Sequence, residues 1–106
     1  MVEQSINFDI LFQALADATR RDILRRVSKT ELSISKLAEP YEMSFAAIAK
    51  HISVLEVAKL ISKRREGKNQ IITASPQTIT TATLHLETYK ILWNTRFDAL
   101  EELLKS

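Results

Sequence analysis

The residues with the clearest chemical potential are basic. Residues 44–70 carry six lysines and arginines against two glutamates, a local balance of +4 in a chain whose net charge is +2. Residues 1–19 balance at −3, residues 20–43 at +2 and residues 71–106 at −1. Positive charge segregated in this way is the electrostatic footprint of a polyanion binder. Other chemistries fare worse. The chain has no cysteine, which excludes disulfides, thiolate metal sites and thiol redox sensing. His85 with Glu87 nearby is too small a ligand set for a metal ion. Ser33 and Ser35 have no histidine close in sequence, and no phosphate loop or paired carboxylates stand at useful spacing. An enzyme is not expected.

The elements that must position these charges are mostly helical. With 106 residues, one glycine and two prolines, the composition fits one domain, residues 1–106, of long helices and few tight turns. Apolar residues at Ile6, Ile10, Leu11, Ala14 and Leu15 predict a helix over residues 5–16. Asp17 caps a second helix that faces Ile23, Leu24 and Val27 inward. Ser33 caps a short third helix, and Pro40 follows its end. After a turn over Glu39 to Met43, Ser44 caps a fourth helix, SFAAIAKHISVL, which buries Ile48, Ile52 and Leu55. Residues 33–58 thus read as a helix-turn-helix. The period then changes. Leu60–Arg65 and Gln70–Ala74 favour strands, and the single glycine, Gly67, sits where a hairpin needs a positive φ. A basic hairpin over residues 60–74, directly after a helix-turn-helix, is a wing.

Ser75 and Pro76 open the last helix, expected over residues 76–104. Its apolar line runs through Ile79, Ala82, Leu86, Tyr89, Trp93, Phe97, Leu100 and Leu104. At roughly 40 Å such a stripe exceeds what a small monomer covers, so a homodimer is expected. Phe8, Leu11, Leu86, Tyr89, Trp93, Phe97 and Leu100 are the candidate interface residues. The expected fold is mainly α with a two-stranded β hairpin: a winged helix-turn-helix of about five helices plus the wing. No apolar run approaches the roughly 18 residues of a membrane span. MVEQSINFDI lacks the basic start of a secretory signal, so the protein is expected in the cytoplasm with no membrane partner.

With these residues in place, the chain resembles an ArsR-type winged-helix regulator from Phe12 to Leu104. The resemblance is carried by ALADATRRDIL, by SISKLAEPYEMSFAAIAKHISVLEVAKLI, by the wing KRREGKNQII, and by YKILWNTRFDALEELL. The last is similar to a subgroup with an aromatic dimerisation helix and no known metal site. The resemblance implies a dimeric DNA-binding transcriptional regulator, usually a repressor of its own operon. Where arsenic-sensing members carry Cys-x-Cys, this chain has Ser33 and Ser35. Where zinc-sensing members would place a second histidine on the last helix, it has Arg96. No metal or other cofactor is therefore expected, and the effector is left open. Three departures stand out: Ala18 for a frequent proline, Ala49 for a frequent serine, and Lys59 for the glycine that ends the recognition helix. A left-handed lysine costs on the order of 1 kcal/mol, which leaves the ending of that helix open.

The partner expected is double-stranded DNA. Ala46 and Ala47 allow close approach to a major groove, Lys50 reaches guanine acceptors or phosphate, and Ser44 caps a helix start that favours phosphate. Phe45 fits either a thymine methyl or the domain core. His51 fits either a phosphate or a structural bond, and Arg20 either DNA or an anchor between the first two helices. Lys63, Arg64, Arg65 and Lys68 are the wing's candidates for backbone or minor-groove contact. Two rivals share the fold: a protein-interaction module, which would not need so basic a wing, and a metal-responsive repressor with an unrecognised site.

Overall fold

Side-chain caps decide where the helices begin. The computed structural model of the chain describes residues 6–105. Asn7 Oδ1 accepts from the Asp9 and Ile10 N–H groups at 3.0 and 3.2 Å and starts α1, Phe8–Leu15. The expected start at Ser5 lies outside the described residues. Asp17 accepts from the Arg20 N–H at 3.0 Å and starts α2, Ala18–Lys29. Ser33 and Ser44 do the same for α3, Ile34–Ala38, and α4, Phe45–Val57. The last helix, α5, runs Pro76–Lys105, with proline at its first position as expected.

The β structure is larger than a hairpin. β2 (Ile61–Glu66) and β3 (Asn69–Ala74) pair antiparallel, from Ile61 opposite Ala74 to Glu66 opposite Asn69. That register leaves Gly67 and Lys68 as a two-residue loop, and Gly67 has φ +63°. A third strand, β1 (Leu32–Ser33), adds to the far side of β3, giving the order β1-β3-β2. Two residues are too short to show a period, so sequence alone read only the hairpin. The wing is thereby tied to the start of α3 and not merely appended to it.

One core unites these elements. Leu11, Ile23, Leu37, Ile48, Ile52, Leu55, Leu60 and Ile72 are all fully buried, one or more from each of α1 to α4 and from the wing region. Ile48, Ile52 and Leu55 are the inward stripe expected of α4. Leu11 requires a correction. It has no exposed surface in the single chain, so it is core and supplies nothing to a subunit interface. Its neighbour Phe8 is only half-buried and turns toward α5, where its ring stacks on His85 with centroids 3.9 Å apart.

The recognition helix ends with the left-handed residue after all. Lys59 has φ +63°. Its N–H donates to the Glu56 carbonyl at 2.9 Å, and the Leu60 N–H donates back to the Leu55 carbonyl at 3.0 Å. These are the two bonds of a Schellman motif, and the accompanying apolar contact is present because Leu55 and Leu60 are both buried. Two carbonyls satisfied and two leucines packed offset the conformational cost of a non-glycine residue there.

α5 departs from the body it starts on. Thr78 and Ala82 are its buried residues, and everything after His85 is exposed. Thirty residues at 1.5 Å each give about 45 Å of helix, which stretches the molecule to 67 Å along its longest axis.

Candidate nucleic-acid interface

The strand period sorts the wing's charges onto two faces. Ile61, Lys63 and Arg65 share one face of β2, and Ser62, Arg64 and Glu66 share the other. The first face turns toward α4. There Lys63, Arg65, Lys68, Asn69 and Gln70 line a groove whose opposite wall is Ser35, Phe45, Ala49 and Ser53. Phe45, Ala49 and Ser53 repeat every four residues, so they form a single flank of α4. Phe45 is 57 % exposed, and the reading that folds it into the core does not hold. Ser35, Ser53, Asn69 and Gln70 were not singled out from sequence. Small polar residues carry no signal until a fold places them beside a basic groove.

The outermost strip of α4 is formed by Ala46, Lys50, Ser53 and Val57, all exposed. Ala47 lies half-buried on the flank opposite the wing. Lys50 borders a shallow depression with Ile10, Gln13 and Val57. Ser44 spends its Oγ on the Ala47 N–H at 3.1 Å, leaving other N–H groups of the first turn directed outward.

His51 is held within the protein. Arg20 Nη1 lies 3.2 Å from His51 Nδ1, its Nε donates to the Ala14 carbonyl at 2.7 Å and its Nη2 to the Gln13 carbonyl at 3.1 Å. Asp17 Oδ2 stands 3.9 Å from the same imidazole nitrogen. The Arg20 backbone N–H holds the Asp17 carboxyl below its usual range, and the charges of His51 and Arg20 add to this. Arg20 therefore anchors the end of α1 to α2 and to the recognition helix, and the structural reading applies to both Arg20 and His51.

Arg64 also differs from expectation. Its Nη1 and Nη2 each donate to the Glu31 carboxylate at 2.7 Å, and Nη2 reaches Glu66 at 2.9 Å. These bonds hold the Glu31 carboxyl below its usual range and push the guanidinium's pKa further up. Arg64 faces away from the groove and clamps the wing to the loop before β1. Lys63 lies on the groove side, but its Nζ is 3.3 Å from Glu56 Oε1. Lys50, Arg65 and Lys68 have no carboxylate partner among the described residues.

The residues expected at a subunit interface fall in one place. Leu86, Tyr89, Trp93, Phe97 and Leu100 are each more than half exposed along the arm of α5. His85 stacks on Phe8 and meets Tyr89 edge-on at 5.3 Å, so its ring is committed to aromatic packing. Among the described residues no group of three or more His, Asp or Glu side chains is placed to hold a metal ion. No helix among them is long and apolar enough to cross a membrane.

A capped helix-turn-helix flanked by a basic, sheet-tied wing defines a winged-helix DNA-binding protein. Comparison with known proteins agrees. A family model described as "Helix-turn-helix domain" matches residues 15–64. The chain is 42 % identical over 73 residues to the "Uncharacterized HTH-type transcriptional regulator YuzN" of Bacillus subtilis, covering 62 % of this chain and 79 % of that one. Among solved structures, the ArsR family transcriptional regulator RHA00566 superimposes with TM-score 0.77 at 32 % identity, covering 82 % of this chain and 96 % of that one. An ArsR-like regulator from Rhodococcus sp. RHA1 gives 0.76 at 28 % identity, covering 90 % of each. The chain belongs to the ArsR family of winged helix-turn-helix transcriptional regulators.

Proposed function

We propose that the chain works as a homodimer that represses transcription by occupying a palindromic operator, its own promoter among the candidates. The observation that carries this reading is the groove between α4 and the wing. It presents Phe45, Ala49 and Ser53 on the helix flank and Lys63, Arg65 and Lys68 on the wing. An α-helix with Ala46 and Ser53 on its exposed strip enters a major groove of about 12 Å closely, while the wing's cations lie against the phosphate backbone beside it. Lys50 supplies a donor toward guanine or phosphate. Phe45, with the alanines, supplies apolar contact for thymine methyls. Arg64, bonded to Glu31 and Glu66, serves by fixing the wing's angle and not by touching DNA.

The dimer follows from the arm of α5. Its leucines and aromatic side chains stand in water in the single chain, and an exposed apolar surface of that extent calls for a partner. Phe8 reaches the same region from α1 through its stack on His85. A two-fold dimer presents two recognition helices, so the operator should be an inverted repeat with half-sites about one helical turn apart or a multiple of that. Repression then needs only occupancy of a promoter. Selection of bound duplexes from a random library tests this reading. An enriched inverted repeat with that spacing is expected; enrichment of isolated half-sites, or none, would count against it.

A further inference from the structure

Two of the chain's cations take no part in the groove between α4 and the wing. Arg21 and Arg25, one helical turn apart on α2, stand over a cleft between α1, α2 and α5. The cleft has a volume of about 360 Å³, which lies in the range of small-molecule sites. Leu60 and Ala82, both buried, form its floor, and Phe12, Leu24 and Ile79 form half-buried walls. Leu86 closes the outer edge, beside the exposed arm of α5. No aspartate or glutamate lines it.

The donors of both arginines are only partly spent. Arg21 gives Nη1 to the Leu15 carbonyl at 2.7 Å, and Arg25 gives Nη2 to Asp22. Arg21 has no carboxylate partner among the described residues. Each guanidinium keeps its Nε and its other Nη, and that fork fits a carboxylate. An apolar floor under two unspent guanidiniums discriminates among ligands. A sugar or a nucleotide would gain nothing from the apolar walls, a neutral hydrocarbon nothing from the arginines, and a cation would be repelled. A monocarboxylate with an apolar body satisfies both halves. At roughly 30 Å³ for each non-hydrogen atom, the share of one water in the liquid, the cleft holds about twelve such atoms, the size of a ten-carbon carboxylate.

Position gives the cleft leverage over DNA binding. α2 carries Arg20, which is bonded to His51 of the recognition helix, and α5 carries the exposed arm. An occupant wedged between α2 and α5 sets the angle between the DNA-reading body and that arm. In a dimer joined through the arm, this angle fixes the spacing of the two recognition helices.

We propose that the α1–α2–α5 cleft binds a monocarboxylate with an apolar body of about ten carbons, that Arg21 and Arg25 hold its carboxylate, and that the occupied protein releases its operator. The release rests on the homodimeric repressor reading; the binding site stands without it.

Decanoate, kept below its micellar concentration, is the probe, titrated by calorimetry into the whole protein without DNA. One molecule per subunit is expected. The Arg21→Gln/Arg25→Gln double variant changes only exposed side chains, so circular dichroism should show the parent fold. Its affinity for decanoate should be about tenfold weaker, the loss of two partly exposed ion pairs. Decanol, the same chain without the charge, should bind the parent about tenfold more weakly than decanoate and should not distinguish parent from variant. No binding of decanoate, equal affinity in the double variant, or decanol matching decanoate would overturn the site. Binding to a Trp93→Glu monomer but not to the parent would overturn it too, because the partner subunit would then fill the cleft. For the release, saturating decanoate should lower the parent's affinity for the DNA upstream of its own gene at least about fivefold, and the double variant should need about tenfold more decanoate for the same effect. Unchanged DNA affinity with decanoate bound would refute the release alone. Failure to bind that DNA even without decanoate would refute the repressor reading and the release with it, while calorimetry still decides the site.

Discussion

Replacing Trp93 by glutamate should separate the subunits of the proposed dimer. Trp93 is 61 % exposed in the single chain, and its ring contact there is an edge-on approach to Phe97 at 5.5 Å. A tryptophan side chain buries up to about 250 Å², so roughly 150 Å² per copy is available to a partner. At about 25 cal/mol per Å² that is nearly 4 kcal/mol for each subunit. Even if only half of this surface is covered, the two copies together lose about 4 kcal/mol, before any penalty for placing two carboxylates in an apolar seam. The dimer dissociation constant should therefore rise by at least about 700-fold. Sedimentation equilibrium over a concentration series reads this directly. Circular dichroism should show the body still folded, because Trp93 contributes nothing to the core. A variant that dimerises as tightly as the parent would refute the assignment of the arm as the interface.

Other perturbations separate the groove from its supports. Lys50→Ala should weaken DNA binding with no change in thermal stability, since the side chain is exposed; a drop in melting temperature without loss of affinity would reverse that assignment. Arg65→Ala and Lys68→Ala should each lower the slope of log affinity against log salt by nearly two units, one contact per subunit, while Arg64→Ala should leave the slope nearly unchanged. Leu11→Ala should cost about 2–5 kcal/mol of folding stability as a core cavity, a result that urea titration distinguishes from a change in dimer affinity. The Tyr41 hydroxyl donates to Asp22 at 2.5 Å. That bond holds the Asp22 carboxyl below its ordinary value of 3.8, and burial together with Asp22 pushes the Tyr41 phenol above 10.0. The pair's contribution is full between those two values. It is lost as pH falls through the lowered Asp22 pKa and as pH rises through the raised Tyr41 pKa. Tyr41→Phe should thus flatten the stability profile at both extremes, as urea titrations across pH would show.

Much of the fold was legible because its signals are local. Asp17, Ser33 and Ser44 cap helices within three residues of themselves, and Gly67 makes its turn alone. What escaped sequence reading was set by pairs distant in the chain. Arg64 and Glu31 are 33 residues apart, so a basic wing read as free charge proved partly self-neutralised. Arg20 and His51 are separated by 31 residues, and only packing of α2 against α4 brings them together. Periodicity identified the apolar face of α1, but it could not tell that Leu11 belongs to the subunit's own core while Phe8 turns toward α5. The ending of α4 illustrates a different limit. The conformational cost at Lys59 was evident from residue type, but the leucine pair that offsets it became visible only when Leu55 and Leu60 were placed in one core.

The most direct test of the central claim is binding of the whole protein to the DNA upstream of its own gene, measured by fluorescence anisotropy across a salt series. A scrambled duplex of the same composition serves as the control. If Lys50, Arg65 and Lys68 on two subunits each meet a phosphate, as proposed, about six contacts result, and affinity should fall by about 10³ between 50 and 200 mM salt. Salt-steep binding that prefers the native duplex is the result expected of a dimeric, autoregulatory repressor. Weak binding that ignores both sequence and salt would contradict it.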